Sequence, residues 1–242
     1  MTTLILLRHG RSSANAAGVL AGRTPGVELD ESGRTQAARL VERLAGVPLA
    51  EVVCSPALRC EQTVAPLLAD RGLTLTTEEG LAEVDYGSWT NRALKDLGKE
   101  PLWRVVQAHP SAAVFPAGEG LAGMQARAVA AIRRHDARIT AAHGPRSVWL
   151  ACSHGDVIKS ILADALASHL DNFQRIVVDP CSISVVQYTE TRPFVVRVNA
   201  LGGDVAGLVP PEPKPGEDGA GENTEENAEE ASQAVVGGST GA

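Results

Sequence analysis

The sequence predicts an α/β protein with a mostly parallel sheet of about six strands and helices on both faces. Two observations predict this class. Short apolar runs that end in polar or glycine residues alternate with longer segments whose apolar residues recur at helical spacing. This alternation is typical of parallel sheets, because parallel neighbours need a long crossover connection.

Charge divides the chain into two parts. The 242 residues carry a formal charge of −7, and the nine acids and one lysine of residues 204–242 contribute −8 of it. Residues 1–203 are therefore close to neutral and long enough for one α/β domain. We expect residues 204–242, which are rich in Pro, Gly, Glu, Ala and Ser and lack aromatic residues, to be a disordered acidic tail.

Composition excludes several classes of function. No basic stripe suggests a nucleic-acid partner, and no apolar run approaches the length of a membrane span. The apolar run at residues 4–7 is too short for a signal peptide and is followed by charge. Cys54, Cys60, Cys152 and Cys181 form no Cys-x-x-Cys motif, which indicates free thiols in a reducing compartment. We expect a cytoplasmic protein without a membrane partner, and the oligomeric state stays open.

The first half of the chain holds two strand–helix units and an edge strand. Ser55 and Pro56 predict the N-cap and first turn of the second helix, and Gly72 predicts its end. The predicted strand, loop, helix, strand, helix and edge strand are residues 4–7, 12–27, 31–45, 51–54, 56–70 and 73–77.

The second half begins with a helical insert and ends in a hairpin. Pro101 predicts a break between short helices, and the turn at residues 190–193 joins the last two strands. The predicted turn-rich segment, short helices, loop, long helix, buried strand, helix and hairpin strands are residues 80–91, 92–109, 110–118, 119–142, 147–152, 156–167, 182–188 and 194–198.

Two buried strands end in histidine and glycine. Arg8-His9-Gly10 follows the first strand, and Ser153-His154-Gly155 follows the second strongly apolar one. A third strand leads into a helix whose first turn carries Arg59. If these strands are parallel neighbours, their carboxyl ends bring the side chains to one edge of the sheet, where helix N-termini also favour anions. Arginine grips phosphate oxygens bidentately, so the sequence predicts a phosphate site.

This set of residues suits phosphomonoester hydrolysis, which enzymes accelerate up to ~10²¹-fold. His9 attacks only when neutral, and the nearby Arg8 and Arg59 favour that form. The leaving alkoxide needs a proton, and Glu83 is the best candidate donor. Water then attacks the phosphohistidine with Glu83 as the base. We therefore predict a phosphomonoester hydrolase that acts on a small phosphorylated metabolite.

The motifs together resemble the histidine phosphatase superfamily, in its phosphoglycerate mutase-like branch. The resemblance spans about residues 4–198 and is carried by six motifs in order: Arg8-His9-Gly10 with Asn15, Gly22-Arg23, the segment from Asp30 to Ala37, the segment from Ser55 to Thr63, the segment from Glu83 to Trp89, and Ser153-His154-Gly155. It implies a phosphorylated His9 and a proton-donating Glu83, with His154 beside them. It also implies that Arg8, Asn15, Arg59 and His154 bind the phosphate, and we expect Gly155 to bind it as well.

The resemblance places Gly22 and Arg23 near the substrate pocket, whereas Trp89 either lines the pocket or belongs to the core. We expect no cofactor and no metal requirement. One alternative is a phosphomutase, which would use the same residues. About 34 residues separate Glu83 from Gly118, fewer than in bisphosphate-dependent phosphoglycerate mutases, and this favours hydrolysis. A second alternative is a non-enzymatic binding module on the same fold.

Overall fold

The computed structural model describes residues 1–202, which build one six-stranded sheet. The strands, β1 to β6 in chain order, are Thr2–Arg8, Leu49–Cys54, Leu75–Thr77, Val148–Ser153, Ile183–Tyr188 and Pro193–Ala200. Their spatial order is β3-β2-β4-β1-β5-β6. The predicted edge strand lies at one edge, and the second strand of the hairpin lies at the other.

Strand β1 lies inside the sheet between one parallel and one antiparallel neighbour. It pairs in parallel with β4, from Thr3 opposite Val148 to Arg8 opposite Ser153. On its other side it runs antiparallel to β5, which in turn pairs with β6 as the predicted hairpin. The four strands β3, β2, β4 and β1 are mutually parallel. The predicted mostly parallel α/β class is therefore confirmed.

Helices cover both faces of the sheet. In chain order, helices α1 to α7 are Ser13–Ala16, Glu31–Arg43, Leu58–Arg71, Leu94–Leu97, Pro101–Ala108, Leu121–His143 and Gly155–Ala165. Alternate residues of β1 serve opposite faces, as the pleat of a strand requires. Leu4 and Leu6 pack in the core beneath α6 and α7, whereas Ile5 and Leu7 pack in the core beneath α2 and α3. Both faces of β1 are thus buried, which explains its continuous apolar run.

The start of α3 differs from the prediction. The helix begins at Leu58 with Ala57 as its N-cap, and no side chain caps it. Ser55 has a long-range partner instead, because its Oγ lies 2.7 Å from Nε2 of His154. The Ser55-Pro56 pattern was therefore wrong as a helix start, and a tertiary hydrogen bond outweighs the local capping preference.

The remaining elements follow the predictions with shifted ends. The loop predicted over residues 12–27 contains the one-turn helix α1, which begins with a reciprocal hydrogen-bonded cap between Ser12 and Asn15. Pro101 is the first residue of α5 and separates it from α4, as predicted. The predicted domain end and the predicted acidic tail, residues 204–242, lie outside the described residues.

Two further observations concern membrane-spanning helices and the cysteines. Across residues 1–202, every helix is too short or too polar to cross a lipid bilayer. Each of the four cysteines is buried and unpaired, as predicted for free thiols.

Candidate active site

The parallel pairing of β1 with β4 brings two histidines together. Arg8 lies opposite Ser153 at the carboxyl ends of these strands, so His9 and His154 are the next residues on each. The backbone N–H of His9 donates to the carbonyl of Ser153 at 3.0 Å. The two imidazole rings meet edge to face with their centroids 5.2 Å apart. The predicted convergence of the two His-Gly strand ends is present.

The imidazole of His9 is buried and held in one orientation. Its Nδ1 lies 2.7 Å from the carbonyl oxygen of Gly10. A carbonyl oxygen only accepts, so Nδ1 carries the proton and Nε2 keeps a free lone pair. Burial lowers the pKa of His9 well below its ordinary value, and the cations Arg59 and Arg8 lower it further. His9 is therefore neutral near pH 7, and the lone pair of its Nε2 is available.

Two buried arginines lie close to His9. Nη1 of Arg8 donates to the carbonyl of Val178 at 2.7 Å, and Nη2 of Arg59 donates to the carbonyl of Gly22 at 2.9 Å. Burial lowers the pKa of Arg8 to about 10, so this guanidinium stays charged at neutral pH. Two buried guanidinium groups beside a neutral imidazole favour binding of an anion.

His154 is completely buried, and both of its ring nitrogens have partners. Nδ1 lies 3.1 Å from Nη2 of Arg59, which can only donate, so Nδ1 accepts. Nε2 then carries the proton and donates to Oγ of Ser55 at 2.7 Å. This bonding fixes the ring and leaves neither nitrogen free to attack.

Glu83 approaches the same ring from the loop after β3. Its Oε2 lies 3.7 Å from Nδ1 of His154, and its Oε1 accepts a hydrogen bond from the backbone N–H of Val84 at 3.0 Å. Burial raises the pKa of Glu83, and the carboxylate of Asp156 raises it further, whereas His154 and Arg59 act in the opposite direction. A carboxyl group with a raised pKa is suited to proton donation.

The glycines of the site allow close approach of the backbone. Gly22 has φ of +52°, and a Cβ there would lie 3.2 Å from the ring of Tyr86. A Cβ on Gly10 would lie 2.8 Å from the carbonyl oxygen of Gly33, so a larger residue would displace the chain beside His9. Gly155 is the first residue of α7 and directly follows His154.

The other sequence-predicted residues have different surroundings. Asn15 is part of α1, and its Oδ1 accepts hydrogen bonds from the backbone N–H and the Oγ of Ser12. Arg23 donates to the carbonyl of Glu83 at 2.8 Å. Trp89 lies in the apolar core against Phe115 with its side chain 2% exposed, so it does not line a pocket.

Sequence reasoning missed a buried polar cluster that includes two side chains of α7. Asp156 accepts a hydrogen bond from the hydroxyl of Tyr86 at 2.9 Å and lies 3.6 Å from Nζ of Lys159. All three side chains are buried. The sequence carried a signal, because a carboxylate and a lysine three residues apart interrupt the otherwise apolar surface of α7.

The site is built from nitrogen bases, guanidinium groups and one carboxyl group. Within residues 1–202, no three side chains of His, Cys, Asp or Glu are grouped in a way that could hold a metal ion. The arrangement can bind an anion, attack it with a neutral imidazole and supply a proton from a buried acid.

Comparison with known proteins agrees with this geometry. The chain is 30% identical to the probable phosphoglycerate mutase GpmB of Yersinia pestis over 194 residues, which cover 79% of the chain and 87% of that protein. It is similar in structure to the alpha-ribazole phosphatase of Shigella flexneri, with 25% identity and a TM-score of 0.71 over 82% of this chain and 96% of that one. It also resembles YhfR of Bacillus stearothermophilus, with 25% identity and a TM-score of 0.74 over 86% and 100%.

The family model of the histidine phosphatase superfamily (branch 1) matches residues 4–201. That range contains every residue of the site described above and nearly all of the described fold. The chain therefore belongs to the histidine phosphatase superfamily, branch 1.

Proposed function

We propose that the chain is a cytoplasmic phosphomonoester hydrolase that acts on a small phosphorylated metabolite through phosphorylated His9. The observation that carries the proposal is that a neutral, oriented His9 and a buried acid, Glu83, both lie against the ring of His154. The Nδ1–H of His9 is bound to the carbonyl of Gly10, and the pKa of Glu83 is raised by burial. The four unpaired cysteines are compatible with a reducing compartment.

The first chemical step transfers the phosphoryl group to the enzyme. Nε2 of His9 forms a bond to phosphorus while the bond from phosphorus to the leaving oxygen breaks. The carboxyl group of Glu83 gives its proton to that oxygen, so an alcohol leaves and Glu83 becomes a carboxylate. The guanidinium groups of Arg8 and Arg59 stabilise the charge on the phosphoryl oxygens in the transition state.

The second step regenerates the enzyme. A water molecule attacks phosphorus, the bond to Nε2 breaks, and the carboxylate of Glu83 takes the proton of the water. Inorganic phosphate leaves, and both His9 and Glu83 return to their starting protonation states. His154 contributes a hydrogen-bonded ring beside the phosphoryl group, held by Ser55 and Arg59.

A phosphomutase is the second candidate, and the similarity to the probable phosphoglycerate mutase GpmB favours it. The two functions differ only in the acceptor of the second step, which is water in one and a substrate hydroxyl in the other. The short segment between Glu83 and Gly118 supports the hydrolase.

The test combines a panel of phosphomonoesters with two histidine variants. We expect wild type to release inorganic phosphate, with and without a chelator, and to carry acid-labile phosphate after a rapid quench. His9→Ala should lose both signals. His143→Ala is the matched control, because this half-exposed histidine at the end of α6 pairs only with Glu51 among the described contacts.

Four results would contradict the proposal. Activity that survives His9→Ala, or that a chelator abolishes, would refute the mechanism. If the phosphoryl group of a labelled phosphomonoester is recovered on a sugar or a glycerate, and not as free phosphate, the protein is a mutase. A wild-type protein that never carries phosphate on His9 would be a binding module.

A further inference from the structure

A further arginine, Arg127, contacts the main chain around Glu83. Arg127 projects from α6, and its Nη1 donates to the carbonyls of Gly80 at 2.9 Å and Ala82 at 2.8 Å. Its Nη2 donates to the carbonyl of Glu83 itself at 3.1 Å. One guanidinium group therefore binds three carbonyls within four consecutive residues.

Glu119 fixes the other edge of that guanidinium group. Its Oε2 accepts from Nε of Arg127 at 3.0 Å, and its Oε1 accepts from Nη2 at 2.6 Å. This is the bidentate geometry that gives arginine–carboxylate pairs their orientation. Although burial raises the pKa of Glu119, hydrogen bonds from Arg127 and from the backbone of Asp85 outweigh it, and the pKa lies below its ordinary value.

Glu119 also joins this pair to the loop on the other side of Glu83. Its Oε1 accepts from the backbone N–H of Asp85 and from Nη2 of Arg23, each at 2.9 Å. Arg23 in turn donates from Nε to the carbonyl of Glu83 at 2.8 Å. The carbonyl of Glu83 thus accepts hydrogen bonds from the guanidinium groups of Arg23 and Arg127. Glu119 binds the backbone of Asp85, two residues further along the chain.

The chain near Glu83 needs such support because it has no regular structure of its own. Residues 82–86 lie between two single-turn helices, Glu79–Leu81 and Gly87–Trp89, and belong to no strand. The long helix α6 is buried along one side and offers a rigid support. It comes so close that a Cβ on Gly80 would lie 2.6 Å from the Cβ of Ala131.

We propose that Arg127 is a positioning residue for proton transfer, which acts by holding the backbone of Glu83 at the distance that the leaving oxygen requires. Glu119 is its orienting partner. The inference rests on the proposed hydrolase function and extends it, because it assigns a task to residues outside the phosphate site. A small displacement of a catalytic group reduces its contribution strongly, so Arg127 should control one step only.

The test uses the leaving group to isolate proton donation. An alkyl phosphate needs a proton on its leaving oxygen, whereas p-nitrophenyl phosphate releases a stable phenolate without one. For each variant, kcat/KM is measured on both substrates, since this constant reports the steps up to alcohol release. The alkyl-to-aryl ratio is taken within one preparation, so the fraction of folded protein cancels.

We expect Arg127→Met to lower the alkyl-to-aryl ratio by about 10-fold or more, because general acids contribute ~10²–10⁴-fold. Arg127→Lys should not restore it, since an ammonium group cannot bind three carbonyls and a carboxylate in a fixed plane. Glu119→Gln should lower the ratio less. Arg133→Met is the matched control, because Arg133 lies on the same helix but pairs with Asp164; its ratio should equal that of wild type.

Failure of this inference and failure of the proposed function give different results. If Glu83→Gln lowers the ratio but Arg127→Met and Glu119→Gln leave it unchanged, the positioning role is refuted and the hydrolase stands. If Arg127→Met and Arg127→Lys lower both constants equally, Arg127 serves stability alone, and the inference is again refuted. If wild type forms no phosphoenzyme from either substrate, the proposed function itself fails.

Discussion

His9 and His154 occupy matching positions on neighbouring parallel strands, yet their hydrogen bonds differ. His9 binds the carbonyl of Gly10 through Nδ1 and leaves Nε2 available. His154 binds Ser55 through Nε2 and Arg59 through Nδ1, so both of its nitrogens are occupied. The same residue after two neighbouring strands thus has one free ring nitrogen in the first case and none in the second.

The hydrogen-bond partners of each histidine, more than its position after a strand, therefore determine which ring nitrogen stays free. A backbone carbonyl beside Nδ1 selects the tautomer of a nucleophile. The hydroxyl of Ser55 and the guanidinium group of Arg59 hold the second ring in one orientation and occupy both of its nitrogens. Four experiments test this difference between the two histidines, in order of decreasing expected effect.

The first experiment replaces each histidine with glutamine. We expect His9→Gln to lose the phosphoenzyme and to lower kcat/KM by on the order of 10⁴-fold or more, as loss of a nucleophile does. His154→Gln should still form the phosphoenzyme, with a rate ~10²-fold lower, because losing the ring that contacts Ser55 and Arg59 displaces the groups around the phosphate. Rapid-quench measurement of protein-bound phosphate distinguishes the two, and equal losses would erase the proposed difference in function.

The second experiment follows kcat/KM against pH with an alkyl phosphate. The acid form of Glu83 is the active one, so the rate should fall by up to about tenfold per pH unit above its raised pKa. Glu83→Gln cannot titrate and should lose this alkaline fall. With p-nitrophenyl phosphate the fall should be absent even in wild type. An alkaline fall that persists unchanged in Glu83→Gln would mean that another group supplies the proton.

The third experiment removes the partner of His154. Ser55→Ala leaves a buried N–H without its acceptor, which costs about 1–3 kcal/mol in the free energy of unfolding. We also expect kcat/KM to fall several-fold because the ring loses its fixed orientation. Urea denaturation and steady-state kinetics measure the two effects. Ser13→Ala, on exposed α1, is a serine control and should change neither; an unchanged Ser55→Ala protein would show that the bond has no part in orienting His154.

The fourth experiment measures how burial of neutral His9 affects stability. Its pKa is lower in the folded state than in the unfolded state, where it is about 6.5. Below that pH the unfolded chain binds a proton that the folded chain does not, so the free energy of unfolding decreases by up to about 1.4 kcal/mol per pH unit. Glu83 has a raised folded pKa and acts in the opposite direction, and the difference between wild type and His9→Gln removes its contribution.

Urea midpoints above and below pH 6.5 give this difference. The loss of stability on acidification should be smaller in His9→Gln than in wild type. Equal losses of stability in the two proteins would mean that unfolding does not change the protonation of His9 in this pH range.

The sheet and the meeting of its strand ends were accessible from sequence. Continuous apolar runs such as Leu4 to Leu7 occur where both faces of a strand are covered, and the carboxyl ends of parallel strands share one edge. The structure places His9, His154, Arg59 and Glu83 together there. Their chemical roles stay predictions.

The remaining contacts depend on distances along the chain that local patterns do not encode. Ser55 before Pro56 satisfies a capping pattern, yet its hydroxyl bonds to His154, 99 residues away. Arg127 meets the carbonyl of Glu83 across 44 residues and an irregular loop. No periodicity links such partners, so only the folded backbone can show them. For the same reason, the sequence did not decide whether Trp89 lines the pocket or belongs to the core.

The central place of β1 affects how the chain folds during synthesis. Its parallel partner β4 is translated about 145 residues later, as the pairing of Thr3 with Val148 requires. At ~5–20 residues per second, the first strand and its histidine wait on the order of 10 s for their neighbours. During that interval an apolar strand has no partner of its own chain. The edge that carries His9 and His154 is therefore completed only after β4 has been synthesised.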